Sequence, residues 1–280
     1  MQLKYCLSEI RKKWKKKEWW VARISEYILH PICLKFTPGT NVLLEDWDYL
    51  VILDACRYDV FRDELRNWNI EGRLEYRISL GANTGLFVRN NFRKGILERL
   101  NCEIVYVTAN PWVDKILKGR NNVKLISVWK YGWDEELGTV PPEPVYEAML
   151  RAVSKYRGKR IVCHFLQPHG PCIKREGGRY IKIKGGIEAH RECLRTVMPF
   201  VERLCKILPG KVVVTSDHGD AFNDRVWFLP VKVWGHHPPL RIEPLIKVPW
   251  LIVDNRGRRI KVSSERELIS SRVRRLRGKI

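Results

Sequence analysis

The chain has 280 residues, of which 45% are hydrophobic and 30% are charged. This composition argues against a disordered or fibrous protein and allows one large domain, or two small ones, with a substantial core. Lys and Arg outnumber Asp and Glu by 52 to 31. The resulting net charge of +21 favours anionic partners such as a nucleic acid, an acidic membrane surface or a phosphorylated substrate.

The sequence shows no sign of a membrane span or a secretion signal. No apolar stretch approaches the roughly 18 residues that a transmembrane helix needs, and the N-terminus lacks the apolar core and cleavage site of a signal peptide. The eight cysteines include no C-x-x-C spacing and lie in apolar segments, which favours reduced thiols. We therefore expect a cytoplasmic protein, with peripheral association at a membrane as the alternative.

Residues 6 to about 30 predict a basic amphipathic helix that carries tryptophans. Such a helix either lies on an anionic bilayer or docks on one side of a domain. Docking is favoured here, because the apolar face of an amphipathic helix usually serves a core. The arginine-rich segment from Asn255 onward is either a solvated helix or an arm for an anionic surface.

Two predicted strands each deliver an aspartate. Tyr49-Leu-Val-Ile-Leu leads to Asp54, and Val212 to Thr215 lead to Asp217 and His218. Short runs of apolar and β-branched residues suit strands that are covered on both faces, and open α/β sheets bind ligands at the carboxyl ends of such strands. The pattern predicts a shared metal site. The alternatives are a simple turn at Ser-Asp-His-Gly and a helix-capping role for Asp54, before a predicted helix at 55–65.

Further polar residues follow predicted strands. Thr84 stands where a glycine-flanked loop enters a predicted helix at 86–100, a position that favours an anion, with helix capping as the alternative. His169 lies in a loop with two prolines just beyond a strand at 160–166. His164, inside that strand, is interpreted as a hydrogen-bonded core residue. Of the adjacent His236 and His237, only one is expected to face a given site.

The remaining segments complete an alternation of strands and helices that is typical of a doubly wound sheet. Two aromatic loops, at 110–114 and 129–133, either form the floor of a pocket or pack against the rest of the domain, and the packing role is favoured. Residues 172–186 are polar and glycine-rich and predict a flap. The other predicted elements are strands at 74–79, 103–108, 124–128 and, near a sheet edge because of Pro249, 248–253, with helices at 145–156 and 187–208.

Six short motifs occur in a fixed order along the chain. They are Leu53-Asp-Ala-Cys-Arg-Tyr-Asp59, Ser79-Leu-Gly-Ala-Asn-Thr84, His164-Phe-Leu-Gln-Pro-His-Gly-Pro171, Val214-Thr-Ser-Asp-His-Gly219, Gly235-His-His-Pro-Pro239 and Val248-Pro-Trp-Leu251. In this order the set resembles the alkaline phosphatase and sulfatase superfamily, and more narrowly archaeal sulfatase-like proteins. The resemblance implies an α/β fold, a three-layer α/β/α sandwich with a mostly parallel central sheet. It also implies a catalytic domain at 45–254, between a basic N-terminal helix and linker at 1–44 and a basic tail at 255–280.

The resemblance also implies roles for individual residues. Thr84 matches the nucleophile. The implied ligands of a divalent metal, Zn or Mn, are Asp54, Asp217, His218 and His237. His169 matches the histidine that meets the substrate phosphate in phosphoglycerol and phosphoethanolamine transferases, and the implied substrate-binding group is His169, Gln167 and His236.

The chain departs from the superfamily pattern in two places. No Cys-x-Pro-x-Arg occurs, so the formylglycine nucleophile of typical sulfatases has no counterpart. Gln167 and His169 stand where two-zinc members have an Asp-x-x-x-His pair, which favours one metal site. We therefore expect a metal-dependent phosphoester hydrolase or phospho-group transferase that acts on a small anionic ester. The alternatives are a sulfatase without formylglycine and a non-catalytic protein that binds an anionic polymer, such as nucleic acid, or a membrane surface.

Overall fold

The computed structural model describes residues 35–100, 102–226, 232–236 and 240–257, together with Lys15 and Ile32. The predicted helix at 6–30, apart from Lys15, lies outside the described residues, and so do His237 and the tail beyond residue 257. Among the residues that are described, none of the helices combines the length and the apolar character needed to cross a bilayer.

A mixed sheet of seven strands forms the centre of the described part of the chain. The strands, including those of two small hairpins, are β1 (Tyr49–Leu53), β2 (Arg73–Ile78), β3 (Ile104–Thr108), β4 (Val123–Ser127), β5 (Arg160–Phe165), β6 (Ile173–Glu176), β7 (Arg179–Lys182), β8 (Lys211–Thr215), β9 (Phe222–Arg225), β10 (Lys232–Trp234) and β11 (Lys247–Asp254). The order in the large sheet is β2-β11-β8-β1-β5-β3-β4, and only the pairings of β11 with β8 and β2 are antiparallel. The mostly parallel sheet that was predicted is thereby confirmed.

Helices cover both faces of this sheet. In the described residues they are α1 (Tyr58–Leu65), α2 (Thr84–Asn91), α3 (Lys94–Leu100), α4 (Pro111–Leu117), α5 (Trp129–Gly132), α6 (Pro142–Lys155), α7 (Gly186–Ile207) and α8 (Glu243–Ile246). One hydrophobic cluster joins the sheet to α1, α6 and α7, and a second joins it to α2, α3 and α4. The result is the predicted three-layer α/β/α arrangement.

Alternation along β1 shows why short apolar runs became central strands. Val51 and Leu53 belong to the cluster under α6 and α7, whereas Leu50 and Ile52 belong to the opposite cluster. Successive side chains of a strand point to opposite faces, so a strand between two helical layers needs apolar residues at every position. All four of these side chains are fully buried.

Several element boundaries differ from the predictions by a few residues, and in three segments the helices themselves differ. The single helix predicted at 86–100 is two helices, because Phe92 leaves the helical region (φ −97°, ψ 40°) and is fully buried, with its ring tilted against that of Tyr106. Both aromatic loops contain helices, α4 and α5. The start of α4 follows a known signal, since Asn110 caps it and Pro111 is its first residue.

The structure also shows where Pro249 and the segment predicted as a flap lie. β11 is second from the edge of the sheet, and Pro249 pairs with Tyr76 of β2 before the pairing with β8 begins at Trp250. A proline is tolerated there because no ladder bond to β8 is needed. The predicted flap is the β6–β7 hairpin, whose Tyr180 hydroxyl donates to Glu143 of α6 at 2.5 Å.

Candidate metal centre and active-site cleft

Three adjacent strands bring Asp54, His164 and Asp217 together. β1 lies between β8 and β5, and Ile52 is level with Thr215 on one side and His164 on the other. Asp54 follows β1 and Asp217 follows β8, so both carboxylates emerge beside the imidazole near the end of β5. Each of the three offers a ligand atom within 4.8 Å of the others, and all three side chains are fully buried.

The donor atoms of this cluster lack hydrogen-bond partners among the described residues. The unpaired atoms are Asp54 Oδ1, Asp217 Oδ2 and His164 Nε2. Buried polar atoms are nearly always paired, and two buried carboxylates without a compensating cation are costly. Two carboxylate oxygens and an imidazole nitrogen suit a divalent ion such as zinc or manganese. The donor set therefore fits the metal that the sequence predicts.

Hydrogen bonds orient the imidazole of His164 and that of His218, which lies beside the cluster. Tyr106 Oη lies 3.0 Å from His164 Nδ1, and His218 Nδ1 lies 2.7 Å from the carbonyl oxygen of Gly219. A carbonyl only accepts, so His218 carries its proton on Nδ1 and leaves Nε2 with a lone pair. That Nε2 is 3.6 Å from Asp54 Oδ1 and 3.5 Å from Asp217 Oδ2. His218 Nε2 therefore lies next to both carboxylates, and its role as a ligand stays a prediction.

Burial and the neighbouring charges set the protonation of these groups. Burial by itself would raise the pKa of Asp54, but His169, His164 and His218 outweigh that effect and hold the pKa below its usual range. Burial lowers the pKa of His218. An ionised carboxylate and a neutral imidazole are the forms that bind a metal.

Thr84 lies between the buried donors and the solvent. Its Oγ1 is 3.5 Å from Asp54 Oδ2 and 3.4 Å from His218 Nε2. Thr84 is the first residue of α2, and the cap of that helix is Asn83, whose side chain accepts from Leu86 N. The helix-capping alternative for Thr84 is therefore wrong.

Asn110 is a site residue that the sequence interpretation missed. Its side-chain nitrogen donates to Asp54 Oδ2 at 2.5 Å and to Thr84 Oγ1 at 3.3 Å. Its side-chain oxygen accepts from Trp112 N at 2.8 Å, which caps α4. One amide thus fixes Asp54, the threonine hydroxyl and the start of a helix.

Thr84 opens onto a cleft of about 420 Å³ that His169 and His236 also line. The ring of His236 lies 5.1 Å from that of His169 and 4.7 Å from that of His218. Burial would lower the pKa of His236, but the hydrogen bond and charge of Asp220 outweigh it and raise that pKa. The cleft therefore offers imidazole groups to an anion beside the threonine hydroxyl.

The remaining predicted residues lie away from the cleft lining, outside the described residues or in roles other than those expected. Gln167 is fully buried with its amide nitrogen on the carbonyl of Val140 at 2.9 Å, and it is not part of the described cleft lining. His237 lies outside the described residues. His164, interpreted as a core residue, is buried and hydrogen-bonded but also belongs to the group of three donors that could hold a metal. Asp54 caps no helix, because α1 begins at Tyr58 after Arg57.

A further buried histidine, His190 of α7, lies outside the metal cluster. Its Nε2 has no hydrogen-bond partner in the described structure, and its ring is 5.1 Å from that of Phe222. Burial lowers the pKa of His190 to about 4, with Arg57 and His169 acting in the same direction and Asp220 and Asp59 opposing. His190 is therefore neutral in the folded protein at pH values where it is partly protonated in the unfolded chain.

Replacing His190 with Gln should flatten the pH dependence of stability. As the pH falls, the imidazole at residue 190 takes up a proton in the unfolded chain before it does so in the folded protein. The folded state therefore loses stability as the pH falls from the pKa of His190 in the unfolded chain toward its lower pKa in the folded protein. Between pH 7.5 and pH 5 the free energy of unfolding of the wild type should fall by about 2 kcal/mol because of His190. His190→Gln should lack this contribution to the fall. Urea unfolding of both proteins in a chelator measures the difference. Equal losses would show that His190 is not neutral in the folded state.

No protein-family model and no curated protein sequence matches this chain. Among solved structures, the chain is similar to the integral membrane protein lipooligosaccharide phosphoethanolamine transferase A of Neisseria meningitidis, with 13% identity and a TM-score of 0.50. That alignment covers 74% of this chain and 47% of the transferase, so the chain spans about half of its length.

Two further structures are similar at lower scores. The soluble domain of the same transferase aligns with a TM-score of 0.49 and 12% identity, over 72% of this chain and 75% of that domain. An alkaline phosphatase superfamily protein from Vibrio parahaemolyticus aligns with a TM-score of 0.46 and 12% identity, over 78% of this chain and 64% of that protein. The narrower likeness to archaeal sulfatase-like proteins stays a prediction. The chain has the three-layer α/β/α fold with a mostly parallel sheet that its ordered motifs predict, and it shares this fold with phosphoethanolamine transferase A.

Proposed function

We propose that the protein is a metal-dependent phosphoester hydrolase or phospho-group transferase in which Thr84 is the nucleophile. The observation that carries this proposal is the juxtaposition of three unpaired, buried donors with a hydroxyl that opens onto a cleft. Asp54 contributes to both, because its Oδ1 is unpaired and its Oδ2 lies 3.5 Å from Thr84 Oγ1. The similar Neisseria meningitidis protein is by name a phosphoethanolamine transferase, which agrees with transfer of a phospho group.

Asp54, His164 and Asp217 would hold the metal, with His218 as a further ligand. A divalent ion supplies charge that lowers the pKa of a hydroxyl and stabilises negative charge in the transition state. The protein supplies two fully buried carboxylates for it and, through Tyr106 and the Gly219 carbonyl, two imidazoles held in fixed orientations.

The reaction begins with a bond from Thr84 Oγ1 to the substrate phosphorus while the bond to the alcohol oxygen breaks. Asp54 Oδ2, at 3.5 Å, would take the proton of the hydroxyl, because the lone pair of His218 Nε2, at 3.4 Å, would bind the metal. Asn110 holds the hydroxyl in place from a third direction. A phosphothreonine results, and water or an alcohol resolves it by attack at phosphorus.

His169 and His236 line the opening and would bind the non-bridging oxygens of the phosphate. His169 Nδ1 lies 2.6 Å from the carbonyl of Gly170, so its Nε2 is left to face a ligand or an alcohol leaving group. Positively charged or N–H groups aimed at the developing charge are usually the largest electrostatic contribution to such a transfer. The net charge of +21 favours an anionic ester as the substrate.

Turnover in the presence and absence of a chelator tests this function. We expect hydrolysis of p-nitrophenyl phosphate or bis(p-nitrophenyl) phosphate, loss of most turnover after dialysis against a chelator, and recovery on adding Zn²⁺ or Mn²⁺. Metal content is measured on the same samples. Undiminished turnover in metal-free protein would contradict the metal dependence.

The same assay separates the alternatives. Turnover of p-nitrophenyl sulfate alone would favour a sulfatase. Absence of all turnover, together with binding of a polyanion that weakens steeply with salt and ignores the chelator, would favour a binding protein. Neither result is compatible with the proposed phosphoester chemistry.

A further inference from the structure

The cleft beside Thr84 is larger than a phosphate group requires. Its volume of about 420 Å³ lies within the range of pockets that hold small organic ligands, about 300–1,000 Å³. Thr84, Asn110, His169 and His236 form one part of its wall. The rest of the lining includes two indoles, Trp112 and Trp133, with Arg89, Thr139, Leu166 and Pro171.

The two indoles are exposed although they line a cleft. Trp112 is 54% exposed and Trp133 is 39% exposed. Large apolar side chains that remain accessible in a concave site mark a place where a ligand completes the packing.

The backbone holds both tryptophans in position. Trp112 N donates to Asn110 Oδ1 at 2.8 Å, so the residue that contacts Thr84 also fixes the first turn that carries the indole. Trp133 directly precedes Asp134, whose backbone N–H donates to the carbonyl oxygen of Thr139 at 2.9 Å. Trp133 and Thr139 therefore stand at the base of one closed loop on the cleft wall.

On the far side of Trp133, Gly132 is closely packed against its neighbours. A Cβ there would come within 3.0 Å of Pro144 and 3.2 Å of Val140. The chain is thus held on both sides of this tryptophan. A backbone that is fixed before a ligand arrives costs little ordering free energy on binding.

We propose that Trp112 and Trp133 bind a planar aromatic or heteroaromatic ring in the alcohol part of the substrate. This inference rests on the proposed function. Indoles gain from stacking on a planar ring beyond the area that is buried, whereas an alkyl chain gains only the burial. The same lining also carries the Thr139 hydroxyl and the charged Arg89, which suit a ring with polar edges better than an extended alkyl chain.

Esters of primary alcohols test this selectivity, because their leaving groups are closely matched. We compare kcat/KM for benzyl, cyclohexylmethyl and butyl phosphate in the wild type and in Trp112→Ala and Trp133→Ala. Each variant should lose about tenfold or more on benzyl phosphate and less than about threefold on butyl phosphate. Trp112→Phe and Trp133→Phe should retain most of the preference, because a stacking face remains.

Tyr131→Ala is the matched control. Tyr131 belongs to the same segment as Trp133 and is 60% exposed, but it lies outside the described lining of the cleft. Tyr131→Ala should change kcat/KM for neither benzyl phosphate nor butyl phosphate. Equal losses on benzyl and butyl phosphate, or parallel losses on benzyl and cyclohexylmethyl phosphate, would overturn the assignment of a planar ring.

A binding measurement keeps this inference separate from the proposed chemistry. If the wild type hydrolyses neither these esters nor the two p-nitrophenyl phosphates, the proposed function fails, and titration with benzylphosphonate and butylphosphonate still tests the ring site. We expect benzylphosphonate to bind about tenfold more tightly than butylphosphonate, and the preference to disappear in Trp112→Ala and Trp133→Ala. Equal affinities in the wild type would overturn the inference.

Discussion

Thr84→Ala should lower kcat for the phosphoester substrate by about a thousandfold or more while the protein keeps its fold and its metal. The hydroxyl lies 3.4 Å from His218 Nε2 and 3.5 Å from Asp54 Oδ2, and it accepts from Asn110. An alanine removes the attacking oxygen and leaves the buried carboxylates in place. Activity, metal content and the thermal midpoint are measured on the same preparation.

Thr84→Ser is the matched variant. It retains the hydroxyl and loses only a methyl group, so it should keep a substantial part of the turnover, about a tenth or more. Rapid acid quenching of the wild type during turnover should reveal a phosphorylated peptide that contains residue 84, and Thr84→Ala should lack it. A Thr84→Ala protein with wild-type turnover would remove the nucleophile assignment.

The sequence was sufficient to predict the residues that end central strands. Asp54, Asp217 and His218 each follow a short apolar run, and such runs form strands whose carboxyl ends share one edge of the sheet. Their convergence therefore follows from local pattern and a general rule of α/β folds. The order of the motifs then brought Thr84 into the same set.

The place of His164 among the candidate metal ligands could not be predicted without the order of the strands in the sheet. Inside β5 it has the surroundings of a core residue, and it is indeed fully buried with Tyr106 as a hydrogen-bond partner. Its second role depends on β5 lying directly beside β1, which brings its Nε2 to 3.5 Å from Asp54 Oδ2. Strand adjacency is a long-range property, and a one-dimensional pattern does not determine it.

Asn110 was missed, and the pocket alternative for the two aromatic loops was not the favoured one, for a different reason. The segment from Asn110 to Asp114 contains a capping asparagine and a proline in the first turn, so the start of α4 could have been predicted from the sequence. Its aromatic residue instead favoured an interpretation as a packing loop. The side chains of Trp112 and Trp133 line the cleft because β3 and β4 follow β5 in the sheet.

The glycine of the Ser-Asp-His-Gly motif also has a role that turn chemistry did not predict. Gly219 is not among the described glycines with positive φ, so backbone strain does not require it. Its requirement comes from close approach, because a Cβ there would lie 2.0 Å from the carbonyl oxygen of Pro244. Gly219 N donates to Leu245 O at 2.9 Å, which ties the motif to the segment that leads into β11.

Gly219→Ala should therefore disrupt the metal centre as well as the fold. The clash is with backbone and cannot be relieved by a side-chain rotation, so the segment that carries Asp217 and His218 must move. His218 depends directly on this segment, since its Nδ1 bonds to the Gly219 carbonyl. We expect the free energy of unfolding to fall by about 1–3 kcal/mol or more, with loss of most metal binding.

Gly95→Ala is the control for the glycine substitution. Gly95 lies within α3, and a Cβ there would meet nothing within 4 Å, so alanine should be neutral or should stabilise the helix by up to about 1 kcal/mol. Urea unfolding and metal titration of both variants separate a local clash from a general effect of the substitution. If Gly219→Ala bound Zn²⁺ and unfolded as the wild type does, the close approach to Pro244 would not be what holds Asp217 and His218 at the end of β8.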